Sequence, residues 1–343
     1  MRNKHCIVVG GGIVGMTTAR ELAIKGHSVS LFDKGNLNQE ASWAAGGILS
    51  SMRPWSENED SAALSNLGKA NYEDFASELK EQTNIDPEYY RSGLLMINKS
   101  DVEQTRVWAS KNNITISDRY DLSSLDMHLP DDVLFLPEIA QVRVPRLLKA
   151  LRGSLIKHDV AIYENTAITG FEVIGDRCIS VQAGNDIYRA DDFILTAGAW
   201  SSGFLEKENE QIKIKPVLGQ MLCLRFQQQL LPTMILDGGH YLIPRKDGHV
   251  LIGSTTEDVG FQKITTKIAR EELMEWACKL WPEIENAEFV QHWSGLRPAT
   301  VDGKPYLGRL GDYENIFINA GHFRKGILQA PVCATQIAEM ICR

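Results

Sequence analysis

Ile7-Val8-Val9-Gly10-Gly11-Gly12-Ile13-Val14-Gly15, close to the start of the chain, is the stretch whose reading decides the fold. Gly10, Gly12 and Gly15 carry the Gly-x-Gly-x-x-Gly spacing between an apolar run with strand texture and a periodic run with helix texture. That arrangement makes a phosphate cradle. Gly10 permits the tight turn, Gly12 lets backbone approach a pyrophosphate, and Gly15 lets the helix lie close to the sheet with its first N–H groups facing the anion. A second strand-like run, Ser28-Val29-Ser30-Leu31-Phe32, ends in Asp33, a carboxylate placed to take ribose hydroxyls. Gly26 stops the helix after Lys25, and Ala19 continues the small-residue face that close packing on the sheet requires.

Working outward, composition bounds the class. The 343 residues, 43% hydrophobic and 23% charged, suffice for about two globular domains. A net charge of −8 with no basic run argues against a nucleic-acid partner. Cys6, Cys178, Cys223, Cys278, Cys333 and Cys342 show no C-x-x-C spacing, so neither a zinc site nor a disulfide framework is expected, and reduced thiols in a cytoplasm fit. The apolar run through Met16 reads as strand, turn and helix rather than a leader, since Arg20 and Glu21 follow at once; no apolar stretch of membrane-spanning length occurs, and a soluble protein is expected.

Downstream, Ala41-Ser42-Trp43-Ala44-Ala45-Gly46-Gly47-Ile48 is a second small-residue patch, suited to contact with a flat ligand. The chain then leaves the βαβ repeat of a nicotinamide enzyme for a polar stretch and a helix-like 62–81, which tilts the cofactor toward a flavin dinucleotide. Short strands and loops over 89–141 read as the first half of an inserted domain. Rossmann texture resumes with a helix over 145–158, a strand at 160–163, a hairpin over 167–181, and Asp192-Phe193-Ile194-Leu195 running into Thr196-Ala197-Gly198. From Pro216 a series of strands with few helices suggests an antiparallel sheet. A last strand, Ile316-Phe317-Ile318, opens through a glycine-bearing turn into a C-terminal helix. The fold class is therefore α/β, with a discontinuous Rossmann-type dinucleotide domain and an inserted α+β domain with a mainly antiparallel sheet.

These residues resemble the flavoenzymes of the D-amino-acid oxidase family, and within it the glycine-oxidase group, over essentially the whole chain. The stretches that carry the resemblance are 41–49, 86–95, 141–143, 197–201, 216–221, 241–245 with 253–255, 295–298 and 321–331. It implies noncovalent FAD at a domain interface, oxidation of a small amino acid (glycine, sarcosine or D-alanine) to its imine with O2 as acceptor, and a role in thiamine thiazole synthesis. It places FAD-domain segments at 1–84, 142–215 and 296–343, and substrate-domain segments at 85–141 and 216–295. By position, Arg297 matches the arginine that grips the substrate carboxylate, Tyr241 the pocket tyrosine and Arg324 the arginine of the flavin-side turn. Gly10, Gly12, Ile13, Val14, Gly15, Asp33, Lys34, Ser42, Gly46, Gly47, Ile48, Ile168, Ala197 and Gly198 fall at cofactor positions, with His322, Phe323, Arg324, Lys325, Gly326, Ile327 and Leu328. Lys325 and Ala299 depart from the family pattern, where asparagine and glycine are common.

Chemistry agrees with the resemblance at Arg297, because a guanidinium fork pairs bidentately with a carboxylate and so fixes its orientation. His240 and His322 read as ordinary surface or loop histidines, and no Ser/His/Asp or metal-ligand set is visible. Amine dehydrogenation needs little side-chain chemistry beyond alignment and exclusion of water, since the flavin takes the hydride. Two other readings stay open: a dehydrogenase passing electrons to a quinone or partner protein, and a catalytically silent flavoprotein subunit. Homo-oligomerisation is open as well.

Overall fold

The computed structural model describes residues 3–204 and 212–343. Residues 205–211, inside the segment expected at 142–215, lie outside the described residues. The helices are α1 (Ile13–Ile24), α2 (Glu59–Thr83), α3 (Lys99–Asn112), α4 (Val144–Lys157), α5 (Lys267–Leu280) and α6 (Gly326–Cys342).

A six-stranded sheet runs in the order Tyr306–Arg309, Ile316–Ala320, Asp192–Leu195, His5–Val9, Ser28–Phe32, Ala161–Tyr163, parallel except for the first strand. Alternation along its central strand explains the layering. Cys6 and Val8 enter one core with Met16 and Leu22 of α1, Leu147 and Leu151 of α4 and Ile337 of α6. Ile7 and Val9 enter another with Phe193, Leu195 and Ile316, closed by Val181 of a three-stranded meander, Gly170–Ile174, Arg177–Ala183 and Asp186–Arg189. Both faces are covered, as near-continuous apolar parallel strands require. The register sets Val9 beside both Leu195 and Phe32, and Leu195 beside Ile318. The turns after these strands therefore stand side by side at one sheet edge, where ligands of open α/β sheets bind.

The second sheet has seven strands in the order Glu288–Thr300, Ile214–Arg225, His249–Gly253, His240–Pro244, Met234–Asp237, Leu94–Met96, Leu134–Leu136, all antiparallel neighbours but for the pair Met234–Asp237 and Leu94–Met96. Alternation again divides duties: Leu242 packs with Leu222, Val250 and Leu273 under α5, whereas Tyr241 and Ile243 turn to the opposite face with Met221 and Ile48. That opposite face looks toward the first sheet.

The chain over 89–141 departs from the expected run of short strands and loops. It contains α3, whose buried Val102, Thr105 and Ala109 occur at helical intervals while its mean content is polar. A sparse stripe of this kind carries too little apolar signal to show as a helix in the sequence.

Candidate active site

One cavity of about 440 Å³ opens between the two sheets. At its glycine end the wall is backbone. Gly10 has φ +112°, and a Cβ there would sit 2.6 Å from the Thr196 carbonyl oxygen. α1, with Gly12 as N-cap, has no cap from that residue and no acidic residue in its first turn, so no carboxylate of its own helix neutralises its positive end. Ser42 Oγ accepts from the Ile13 N–H at 2.9 Å. Asp33 braces the turn: its carboxylate accepts from Gly11 N–H at 2.6 Å and Gly35 N–H at 2.9 Å. Burial pushes the Asp33 carboxyl above its ordinary pKa, against the pull of those two bonds. Lys34 Nζ lies 3.3 Å over the ring of Trp200.

In the middle, residues 44–48 pass their backbone along the cavity wall. Gly47 has φ +79°, with no room for a Cβ beside the Val142 carbonyl. Arg245 clamps this segment from behind. It is 3% exposed and donates to Gly46 O (2.7 Å), Val142 O (3.0 Å) and Gln141 Oε1 (2.5 Å). Burial lowers its pKa to about 10.

At the far end, the guanidinium end, the wall is side chains. Arg297 projects from strand Glu288–Thr300 over Gly219, where any Cβ would meet the guanidinium at 2.1 Å. It donates to Ser254 Oγ (2.8 Å), Thr255 O (3.1 Å) and Leu218 O (3.4 Å). The turn before α6 docks on the same strand, with Phe323 N–H bonded to Pro298 O at 2.9 Å and a bridge between Ala299 and His322, and this sets Arg324 near Arg297. Arg324 donates to Thr256 Oγ1 at 2.8 Å, and its buried Nε has no partner. Burial first, then Arg297, lowers its pKa. Every one of these hydrogen bonds goes to a neutral oxygen. Tyr241, 7% exposed, completes the wall, its hydroxyl 3.5 Å from Met221 Sδ.

His322 is not the surface or loop histidine that its sequence suggests. It is 2% exposed, with Nδ1 2.9 Å from Gln329 Oε1 and Nε2 2.9 Å from Asn319 Oδ1. Burial pushes its pKa down to about 4, so the ring is neutral at pH 7 and its single N–H donates to one of these two oxygens.

The cavity thus gathers Arg297, Tyr241 and Arg324 with almost all of the expected cofactor residues. Three stand apart. Gly15 lies under the turn, its Cα so close to Gly10 that a Cβ would fall 1.8 Å from the Gly10 carbonyl oxygen, which is its packing role rather than a wall position. Leu328 is in the helical core. Lys325 turns its ammonium to Glu57 (3.0 Å) and Ser61 Oγ (2.6 Å) beside α2. Sequence reasoning gave no role to Arg245, Glu40, Trp200 or Gly219, although Trp200, Gly219 and Arg245 fall within the stretches 197–201, 216–221 and 241–245 that carry the resemblance. Among the described residues no His/Cys/Asp/Glu group could hold a metal, and no helix is long and apolar enough to cross a membrane.

Comparison with known proteins gives a consistent answer. The family model described as DAO, FAD dependent oxidoreductase, matches residues 5–340. A glycine oxidase of Pseudomonas putida is 35% identical, over 99% of this chain and 94% of its own. A bifunctional ThiO/ThiG protein of Nostoc sp. is 28% identical over 98% of this chain and 52% of its own. The crystal structure of glycine oxidase from Bacillus cereus superposes with a TM-score of 0.92 at 25% identity, covering 99% of this chain and 95% of that one.

Proposed function

The chain belongs to the DAO family of FAD-dependent oxidoreductases and is an amino-acid oxidoreductase, and from that premise we propose that it oxidises glycine, with sarcosine and D-alanine as further substrates, using O2 as electron acceptor. The residues present fit the cofactor: a turn that admits no Cβ, a helix start with no acidic residue in its first turn and a carboxylate at the second strand end. Gly10, Gly12, Ile13 and Val14 would face the pyrophosphate, Asp33 and Lys34 the adenosine side, and Gly46 to Ile48 with the turn at 322–327 the ring system. FAD, when bound, supplies a hydride acceptor for the substrate α-carbon.

The observation that carries the substrate reading is the pair Arg297 and Arg324, two guanidiniums on one cavity wall bonded only to neutral oxygens. Burying such charge is costly unless an anion pairs with it. An amino-acid carboxylate meets that need, and Arg297, held rigid by three bonds, would fix its orientation. Tyr241 and Met221 wall the space beside it and keep water from the α-carbon. Among the described residues no cysteine lines the cavity, and the ring nitrogens of His322 face the Gln329 and Asn319 amide oxygens rather than the cavity, which supports noncovalent flavin. The imine product suits either hydrolysis or capture by a thiazole-forming enzyme, a reading supported by the ThiO/ThiG relative.

Anaerobic mixing of the yellow protein with glycine tests this. The flavin band is expected to bleach, then return within seconds of admitting air with one peroxide formed per cycle. No bleaching with glycine, sarcosine or D-alanine would overturn the substrate assignment, and bleaching without recolouring in air would overturn the acceptor.

A further inference from the structure

Residues 254–266 join strand His249–Gly253 to α5 and form a loop closed at its neck by one buried residue, Gln220. Gln220 N–H donates to Thr255 Oγ1 (2.9 Å), and its side chain reaches both limbs, donating to Glu257 Oε1 (2.9 Å) and accepting from Thr266 N–H (2.8 Å). Glu257 adds two backbone bonds with Leu218, of 2.9 and 3.0 Å. The neck is therefore fixed to the antiparallel sheet, while the tip crosses to the other body of the protein. There the Phe261 ring lies 5.4 Å from that of Trp200, and Lys263 Nζ donates to Gln39 O (2.7 Å) and pairs with Glu40 (3.0 Å).

The tip contacts fall on Trp200, Gln39 and Glu40. Trp200 and Glu40 line the cavity, as does Lys34 stacked on Trp200; Gln39, Phe261 and Lys263 do not. Phe261 is 53% exposed, an aromatic side chain that contributes little to either core and whose ring, among the described residues, packs on that of Trp200. We propose that this loop is a clasp that retains the dinucleotide: Phe261 and Lys263 are positioning residues that hold Trp200 and Glu40 closed over the glycine end, and so set the rate at which FAD leaves. The proposal rests on the FAD reading above.

The test is FAD release from the holoprotein, followed by the recovery of free-flavin fluorescence after large dilution into flavin-free buffer. An aromatic pair and an exposed ion pair convert to about a threefold to tenfold faster release for Phe261→Ala and about twofold to fivefold for Lys263→Met. The double variant is expected to release FAD at least tenfold faster, and Phe261→Trp, which keeps the ring contact, to stay within about twofold of wild type. Added salt should speed release from wild type and from Phe261→Ala but leave Lys263→Met nearly unchanged, since only the ion pair is screened. Melting of the apoprotein should not move. Release from the double variant within twofold of wild type overturns the clasp, as does an apoprotein melting loss that tracks the faster release, which would make these contacts structural. A wild-type protein that holds no FAD fails the cofactor reading itself, a result distinct from both.

Discussion

At the glycine end of the cavity the wall is main chain, drawn from turns that follow strands His5–Val9, Ser28–Phe32 and Asp192–Leu195 and held level by sheet register. At the guanidinium end the wall is side chains, Arg297, Arg324 and Tyr241, delivered by a strand, a turn and another strand that meet only in the folded protein. The first kind of wall admits no Cβ at Gly10, nor at Gly15 just beneath it. The second kind puts its specificity into single groups, each of which can be removed. Damage to the glycine end should therefore appear as cofactor affinity, and damage to the guanidinium end as turnover.

The largest effect that would sharpen this contrast is at Arg297. Replacing it by leucine leaves the substrate carboxylate unpaired in a dry pocket, at a cost of about 3–5 kcal/mol. In kcat/KM that is a loss on the order of a hundredfold to several thousandfold, with FAD affinity retained. Arg297→Lys keeps charge without the fork and should recover only part. Steady-state turnover of glycine and sarcosine at matched flavin occupancy decides it. Activity within threefold of wild type would move the carboxylate to Arg324.

His322 carries the contrast into pH. Its pKa falls from 6.5 to about 4 on folding, so the unfolded chain takes up a proton first as pH drops. Stability from this group is intact above about pH 6.5, falls between 6.5 and 4, and the loss reaches about 3 kcal/mol. His322→Gln should be less stable than wild type at pH 7.5, where it loses the buried hydrogen bond and packing of the ring, yet lose less on going to pH 5. Urea unfolding at the two pH values measures this, and parallel losses in both proteins would show that His322 is not the group that titrates.

How much of this was legible follows from the same contrast. The glycine cradle, Asp33 and the strand ends are local in the chain, so spacing alone exposed them, and the register then made them neighbours. Arg297 and Arg324 were legible only through resemblance, because nothing in the sequence joins Gly295-Leu296-Arg297 to a turn nearly thirty residues on. Arg245 was legible only as the last residue of a resembling stretch, 241–245, with no role attached. Its work is to fill three acceptors behind residues 46–48, a role defined wholly by tertiary neighbours. His322 was misread for a related reason: a histidine after a glycine looks like a loop residue until α6 brings Gln329 over it. α3 escaped notice because helices with thin apolar stripes derive their stability from packing rather than pattern.

The smallest expected effect falls on Asp33, where the two kinds of wall meet in one residue. Its carboxylate already accepts two backbone N–H bonds, from Gly11 and Gly35, so it shapes the turn as well as facing the cavity. Each oxygen keeps a second lone pair, which is what a ribose hydroxyl would use. Asp33→Ala removes both functions, and FAD affinity should fall by about 1–3 kcal/mol, the range for hydrogen bonds to a charged group. Asp33→Asn separates them. An amide oxygen can still accept from one N–H, but the amide nitrogen cannot accept from the other, so the turn loses one bond while a neutral acceptor remains for the ribose. If turn geometry dominates, the asparagine variant should lose nearly as much FAD affinity as the alanine variant, together with apoprotein stability. If ribose contact dominates, it should keep more than half the affinity difference, with apoprotein stability close to that of wild type. Titration of each apoprotein with FAD, paired with its melting curve, distinguishes the two, and unchanged affinity in Asp33→Ala would remove this carboxylate from the site altogether.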